Sequence, residues 1–171
     1  MSSINYHRVI KPAGLILILF FFLSSYASAG PLYDFKGEQK RVEDYLGHGK
    51  WTVVMFWASD CHICHKKAPD YVAFQEKHKD GNIRMLGMVI DGKINKADAE
   101  TFINEYKLNF PNLTGDPEDV AGFYQDNTGS YFVGTPTFMI YSPDGKVRAA
   151  DAGAIPVSVI EEFIASQTDT E

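Results

Sequence analysis

The chain is short of three things: cysteine, long apolar runs and clustered positive charge. Two cysteines in 171 residues cannot build a disulfide framework, which needs more of them spread along the sequence. The uncharged apolar run at residues 13–23 is about 11 residues, against the roughly 20 that cross a bilayer. Sixteen Lys and Arg stand against 22 Asp and Glu, a formal net charge of −6 with no Lys/Arg cluster. That balance excludes nucleic acid as an electrostatic partner. Internal repeats and low-complexity segments are also missing, which excludes solenoids and extended linkers.

What stands at the start is an export pattern. His7, Arg8 and Lys11 give a weakly positive opening, the apolar run follows, and Ala27-Ser28-Ala29 closes it. This reads as a secretory signal peptide over residues 1–29, cut after Ala29, or as an N-terminal anchor if it is not cut. No cysteine follows the run, so a lipoprotein anchor at this site is not supported. Residues 30–171 are then expected to form one domain, outside the cytoplasm. Losing Arg8 and Lys11 and no acid makes that domain more acidic still, which serves solubility.

The rest of the chain alternates between strand and helix signals. Residues 31–50 read as a hairpin or a short helix, with Gly37, Gly47 and Gly49 at turns. WTVVMFW, from Trp51 to Trp57, is an unbroken apolar and β-branched run, the mark of a central strand buried on both faces. Asp60 is expected to cap a helix running to about residue 79, with Cys64, Ala68, Tyr71 and Val72 on its inner face. Residues 83–90 form a second strand, parallel to the first. Asn95 caps a helix with Ala99, Phe102, Ile103 and Tyr106 inward; residues 110–113 form a short strand interrupted by Pro111; residues 118–124 form a short helix. Strands at 137–141 and 146–150 flank Ser142-Pro143-Asp144-Gly145, a hairpin turn by its chemistry. Pro156 opens a last helix with Val157, Ile160, Phe163 and Ile164 inward. The fold class is α/β: a mixed sheet flanked by helices, with an inserted α-β element between a β-α-β half and a β-β-α half.

The two cysteines lie three residues apart, Cys61-His62-Ile63-Cys64, where the central strand gives way to a helix. Free backbone N–H groups and the dipole at a helix N-terminus favour a thiolate. Positions i and i+3 bring two sulfurs together. A disulfide spanning one helical turn closes a tiny loop and adds little stability, so the pair asks for a chemical role. Cys64 falls on the apolar stripe and Cys61 does not. Cys61 is therefore expected to attack and Cys64 to resolve, by exchange through a mixed disulfide.

These residues carry a resemblance. WASDCHIC, with Trp57 four residues before the first cysteine, resembles the active site of the thioredoxin family. Pro69, five residues after Cys64, resembles the proline that bends that family's first helix. Thr135-Pro136-Thr137 resembles its cis-proline loop, which faces the cysteines and pairs with substrate backbone. The export signal and the insert at about 91–115 are similar to the TlpA/ResA-type periplasmic branch. The resemblance covers roughly residues 31–166. It implies a periplasmic thiol–disulfide oxidoreductase that reduces exported proteins such as apocytochrome c. It implies recharging by a membrane reductant of the DsbD or CcdA type, with no diffusible cofactor and no metal, because the cysteine pair is itself the redox centre. It implies substrate contact at Thr135 and Pro136 and supporting roles for Trp57, His62 and Pro69.

Met55 stands where thioredoxin keeps a buried Asp, and Asp91, at the end of the second strand, is the place to look for a replacement. Disulfide oxidants and isomerases of the DsbA/DsbC type carry His directly before the second cysteine, whereas here it follows the first; that direction of electron flow stays open. Cys61 to His65 also spells C-x-x-C-H, the c-type haem attachment pattern, although that pattern sits in small helical domains. Zinc would need four ligands around a tetrahedron, which one helical turn cannot supply, and His48 and His78 stand alone. A binding module on this fold usually loses one cysteine, and both are kept. His62 either steadies the Cys61 thiolate or is a solvated filler. His65, Lys66 and Lys67 form either a cationic collar beside the Cys61 thiolate or, the commoner case, an exposed helix face; Trp57 is core first and a candidate for the site's rim; Tyr131 and Phe132 either form an apolar substrate rim or, the favoured reading, pack their loop.

Overall fold

The computed structural model describes residues 30–168, so the signal reading of residues 1–29 lies outside the described residues. Seven strands form one sheet in the order β2-β1-β5-β4-β3-β6-β7. They are β1 Leu32–Asp34, β2 Gln39–Lys40, β3 Trp51–Trp57, β4 Ile83–Val89, β5 Asn112–Thr114, β6 Thr137–Tyr141 and β7 Val147–Ala152. Four helices flank it: α1 His62–His78, α2 Lys96–Tyr106, α3 Pro117–Thr128 and α4 Val157–Thr168. A 3-10 turn at Val42–Tyr45 follows the first hairpin. This is the thioredoxin-like α/β fold.

β3 is the keel. Every residue of it is buried. It runs parallel to β4, Trp51 facing Ile83 through Trp57 facing Val89, and antiparallel to β6, Thr52 facing Tyr141 through Phe56 facing Thr137. With hydrogen bonds on both edges and helices on both faces, the strand carries apolar side chains throughout except Thr52, whose hydroxyl donates to the Tyr45 carbonyl at 3.0 Å and accepts from Arg84 Nε at 3.0 Å. Alternate residues serve two cores. Trp51, Val53, Met55 and Trp57 pack with Cys64, Tyr71, Phe102 and Ile160 of α1, α2 and α4. Val54 and Phe56 pack with Leu86, Met139, Val120 and Tyr124, against α3.

Several boundaries differ from the sequence reading. Helix α1 is capped by Cys61, not Asp60: the Cys61 Sγ accepts the backbone N–H of Cys64 at 3.1 Å, taking the place of a capping carboxylate. Val72 is only half-buried, and Phe74 completes the inner stripe of Cys64, Ala68 and Tyr71. The short strand starts at Asn112, after Pro111, which has no N–H to give to a ladder. α3 begins at Pro117 and runs on to Thr128, ending on Gly129 in the left-handed conformation. β7 runs to Ala152 because Thr137 still pairs with it there. The first segment forms both a hairpin and a 3-10 turn, and β1 joins the sheet antiparallel to β5.

One close approach ties the keel to the insert. The Trp57 indole N–H donates to Asn112 Oδ1 at 3.0 Å, and Asn112 Nδ2 donates to the Phe110 carbonyl at 2.8 Å. Gly87 of β4 makes room for this pair: a Cβ there would sit 1.9 Å from Asn112 Oδ1 and 3.0 Å from Trp57 Nε1. Gly87→Ala is therefore expected to lower unfolding free energy by about 2 kcal/mol, since it overfills the core and breaks a buried hydrogen bond. Urea unfolding measures this; wild-type stability would show that Asn112 swings aside freely.

Candidate active site

β3 ends at Trp57, and three residues, Ala58, Ser59 and Asp60, carry the chain to Cys61, the cap of α1. Cys61 N–H donates to the Ala58 carbonyl at 3.2 Å, and His65 N–H donates to the Cys61 carbonyl at 3.1 Å as the helix begins. Cys61 and Cys64 are joined as a disulfide, their Cα atoms 5.2 Å apart. Cys64 is fully buried beneath the first turn and Cys61 is half-buried at its rim. Solvent therefore meets the pair from the Cys61 side. When the bond opens, a Cys61 thiolate has the Cys64 N–H and the positive end of α1 beside it, both of which lower a thiol's pKa.

The loop that carries Cys61 is held on both sides at Ser59. Its N–H donates to Asp91 Oδ1 at 3.0 Å and its hydroxyl to Asp91 Oδ2 at 2.5 Å. Its carbonyl meets His65 Nε2 at 2.7 Å. Asp91 is thus engaged by Ser59, and by Asn95 at 3.4 Å, at the exit of β4. The position of thioredoxin's buried carboxylate is filled by Met55, 2% exposed, facing Gly87 on one side and Phe138 on the other.

His65 departs from the sequence reading. It is half-buried rather than part of an exposed face, because α2 covers it: Nδ1 meets Tyr106 Oη at 3.2 Å and the ring stands edge-on to Phe102 at 4.6 Å. Lys66 is exposed, and Lys67 pairs with Asp70 at 2.9 Å. His62 and Ile63 are exposed beside the sulfurs. Pro69 lies on the outer side of α1. Tyr71, further along that helix, donates to the Ile155 carbonyl at 3.0 Å; burial pushes its phenol above the usual tyrosine range, so it stays a donor.

On the far side of β3, the Thr135–Pro136 bond is cis. Phe56 faces Thr137, so Pro136 continues that register to the level of Trp57, at the edge where Cys61 emerges. The Thr137 hydroxyl donates to the Gly134 carbonyl at 2.6 Å and Gly153 N–H donates to the Pro136 carbonyl at 2.8 Å, which fix the loop. Before it, Phe132 packs on Phe56 and Tyr124, while Tyr131 is 79% exposed. The packing reading thus holds for Phe132 and fails for Tyr131, whose ring stands in solvent. A cavity of about 700 Å³ lies elsewhere, between the first hairpin and α3, lined by Leu32, Arg41, Phe123 and Asn127.

Trp57 is fully buried, stacked on Phe102 at 4.4 Å; it is core that backs the site. Sequence reasoning missed the Asp91–Ser59–His65–Tyr106 chain, since its partners are 32, 6 and 41 residues apart and no local pattern links them.

A cystine set at the end of a buried central strand, one sulfur buried and the other at the rim of a helix N-terminus, defines the class: this is a thioredoxin-like thiol–disulfide oxidoreductase. The profile of the AhpC/TSA family matches residues 27–150, and the chain belongs to the AhpC/TSA family. Over 134 residues it is 26% identical to thiol-disulfide oxidoreductase ResA of Bacillus subtilis (strain 168), covering 78% of this chain and 69% of that one. Among solved structures, StoA from Bacillus subtilis superposes with a TM-score of 0.61 at 20% identity, covering 79% of this chain and 95% of that one. The exposed lipoprotein thioredoxin Etrx1 of Streptococcus pneumoniae (strain TIGR4) does so with a TM-score of 0.61 at 26% identity, covering 80% and 98%.

The burial difference between the sulfurs has a direct readout. After reduction, Cys61 in a Cys64→Ser variant is expected to react with iodoacetamide about tenfold or more faster than Cys64 in a Cys61→Ser variant. Equal rates, followed by mass spectrometry, would contradict the asymmetry.

Proposed function

We propose that this oxidoreductase works in the periplasm as a donor of reducing equivalents to disulfides of exported proteins, apocytochrome c among them. The observation that carries the reading is the unequal burial of the pair: Cys64 at 0% exposure, Cys61 half-buried with a backbone N–H on its sulfur. The Cys61 thiolate attacks one sulfur of the substrate disulfide, forming a mixed disulfide and releasing the other substrate sulfur as a thiolate. Cys64, once deprotonated, attacks the Cys61 sulfur, releases the second substrate thiolate and leaves the Cys61–Cys64 disulfide. Two electrons pass to the substrate. A membrane dithiol of the DsbD or CcdA type then reverses these steps on the oxidised pair, and no diffusible cofactor takes part. Thr135 and Pro136 lie alongside the substrate backbone.

A protein substrate fits the surface around the pair. Among the described residues, the large apolar side chains left exposed are Ile63, Ile94, Tyr131, Val133 and Val159. Ile63 follows β3, Ile94 follows β4, Tyr131 and Val133 precede β6, and Val159 follows β7. The registers Trp57 with Val89, Phe56 with Thr137 and Thr137 with Ala152 make these strand ends a single edge of the sheet, the one from which Cys61 emerges. Exposed apolar groups gathered at one edge mark an interaction surface for polypeptide. Export agrees with the sequence pattern of residues 1–29, and among the described residues no helix is long and apolar enough to cross a membrane.

The test is a trap. Expressed in a Gram-negative host, Cys64→Ser should accumulate dithiothreitol-sensitive mixed disulfides through Cys61 with exported proteins, and Cys61→Ser should not. Capture by Cys61→Ser instead, or by neither variant, would overturn the reading.

A further inference from the structure

We infer that His65 is a positioning residue for the cysteine pair, acting through the Ser59 peptide and braced on helix α2. The inference rests on the chain's oxidoreductase chemistry and assigns a residue to it. The Ser59 carbonyl can only accept, so His65 Nε2 carries a hydrogen and donates at 2.7 Å. In the neutral ring, Nδ1 then accepts from the Tyr106 hydroxyl at 3.2 Å. The tautomer is thus fixed from both ends. The ring cannot tilt away, because it stands edge-on to Phe102, which is itself stacked on Trp57.

The clamp acts on one residue from two directions. Asp91 takes the N–H and hydroxyl of Ser59, and His65 takes its carbonyl. Both anchors belong to the insert or lean on it. Asp91 sits at its entrance, where its carbonyl accepts from Ile94 and Asn95, and Tyr106 is the last residue of α2. Two residues beyond Ser59 is Cys61. His65 is also the residue after Cys64, and its own N–H holds the Cys61 carbonyl. It therefore ties the loop before the first cysteine to the turn that holds the second.

This tie has a redox consequence. A dithiol closes readily when its two sulfurs are held at bonding distance, so the pair's tendency to form a disulfide tracks how tightly the Cys61 loop is held against α1. Loosening the loop weakens the disulfide relative to the dithiol and lets a Cys61 mixed disulfide wait longer for Cys64.

The experiment equilibrates the full-length protein against glutathione buffers. In His65→Leu the dithiol–disulfide equilibrium is expected to move about tenfold toward the dithiol, with more Cys61–glutathione mixed disulfide. His65→Gln, whose amide can still donate to Ser59, should stay within about twofold of wild type. Tyr106→Phe, which keeps the ring packing, should shift the same way by a smaller amount. A residue that merely packs would lower the melting temperature and leave this equilibrium alone. The inference is overturned if His65→Leu stays at the wild-type equilibrium, or if His65→Gln shifts as far as His65→Leu. Should His65→Leu not fold, Tyr106→Phe decides, and a wild-type equilibrium there overturns it. A wild type with no glutathione-dependent equilibrium would instead sink the oxidoreductase chemistry itself, a distinct result.

Discussion

The pairing of β3 between β4 and β6 is the constraint from which the site follows. Hydrogen bonds on both edges hold Trp57 at the same level as Val89 and at the start of β6. The chain leaving β3 must then cross to α1 in four residues, and it does so bonded to Asp91, which follows β4, at the end of the sheet where Pro136 precedes β6. The disulfide, the cis-proline loop, the Ser59 clamp and the exposed apolar side chains all gather at one edge of the sheet because that one strand fixes where its neighbours end.

The division of labour between core and cystine is physical. The disulfide closes one helical turn and constrains little of the unfolded chain. Stability comes instead from two apolar layers, one under α1, α2 and α4 and one under α3. The sulfurs can therefore change partners without the fold depending on them. Cys64 belongs to the first layer while Cys61 stands at its margin, so one sulfur is part of the protein's interior and the other faces its surroundings.

Much of the fold was legible in local chemistry. An unbroken apolar run announced β3, Pro143-Asp144-Gly145 announced the β6–β7 hairpin, and a C-x-x-C after a buried strand announced the site. Less legible was whatever depends on residues far apart. The antiparallel addition of β1 to β5 joins segments some 80 residues distant, with no pattern in either. His65 looked like a surface residue because its neighbours Lys66 and Lys67 are polar; only Tyr106 and Phe102, carried over by the insert, turn it inward. The cap was misread because an aspartate is the commoner acceptor, while here a sulfur one residue later takes the N–H.

The central proposal is that Cys61 and Cys64, a redox-active pair, cycle as a donor of electrons. Its most direct test is the reduction potential of the purified wild-type protein, from equilibration with glutathione or dithiothreitol buffers. A donor of reducing equivalents predicts a single two-electron transition near about −270 mV, the thioredoxin range. A value near about −120 mV, that of a strong periplasmic oxidant, would contradict it and make the disulfide the active form.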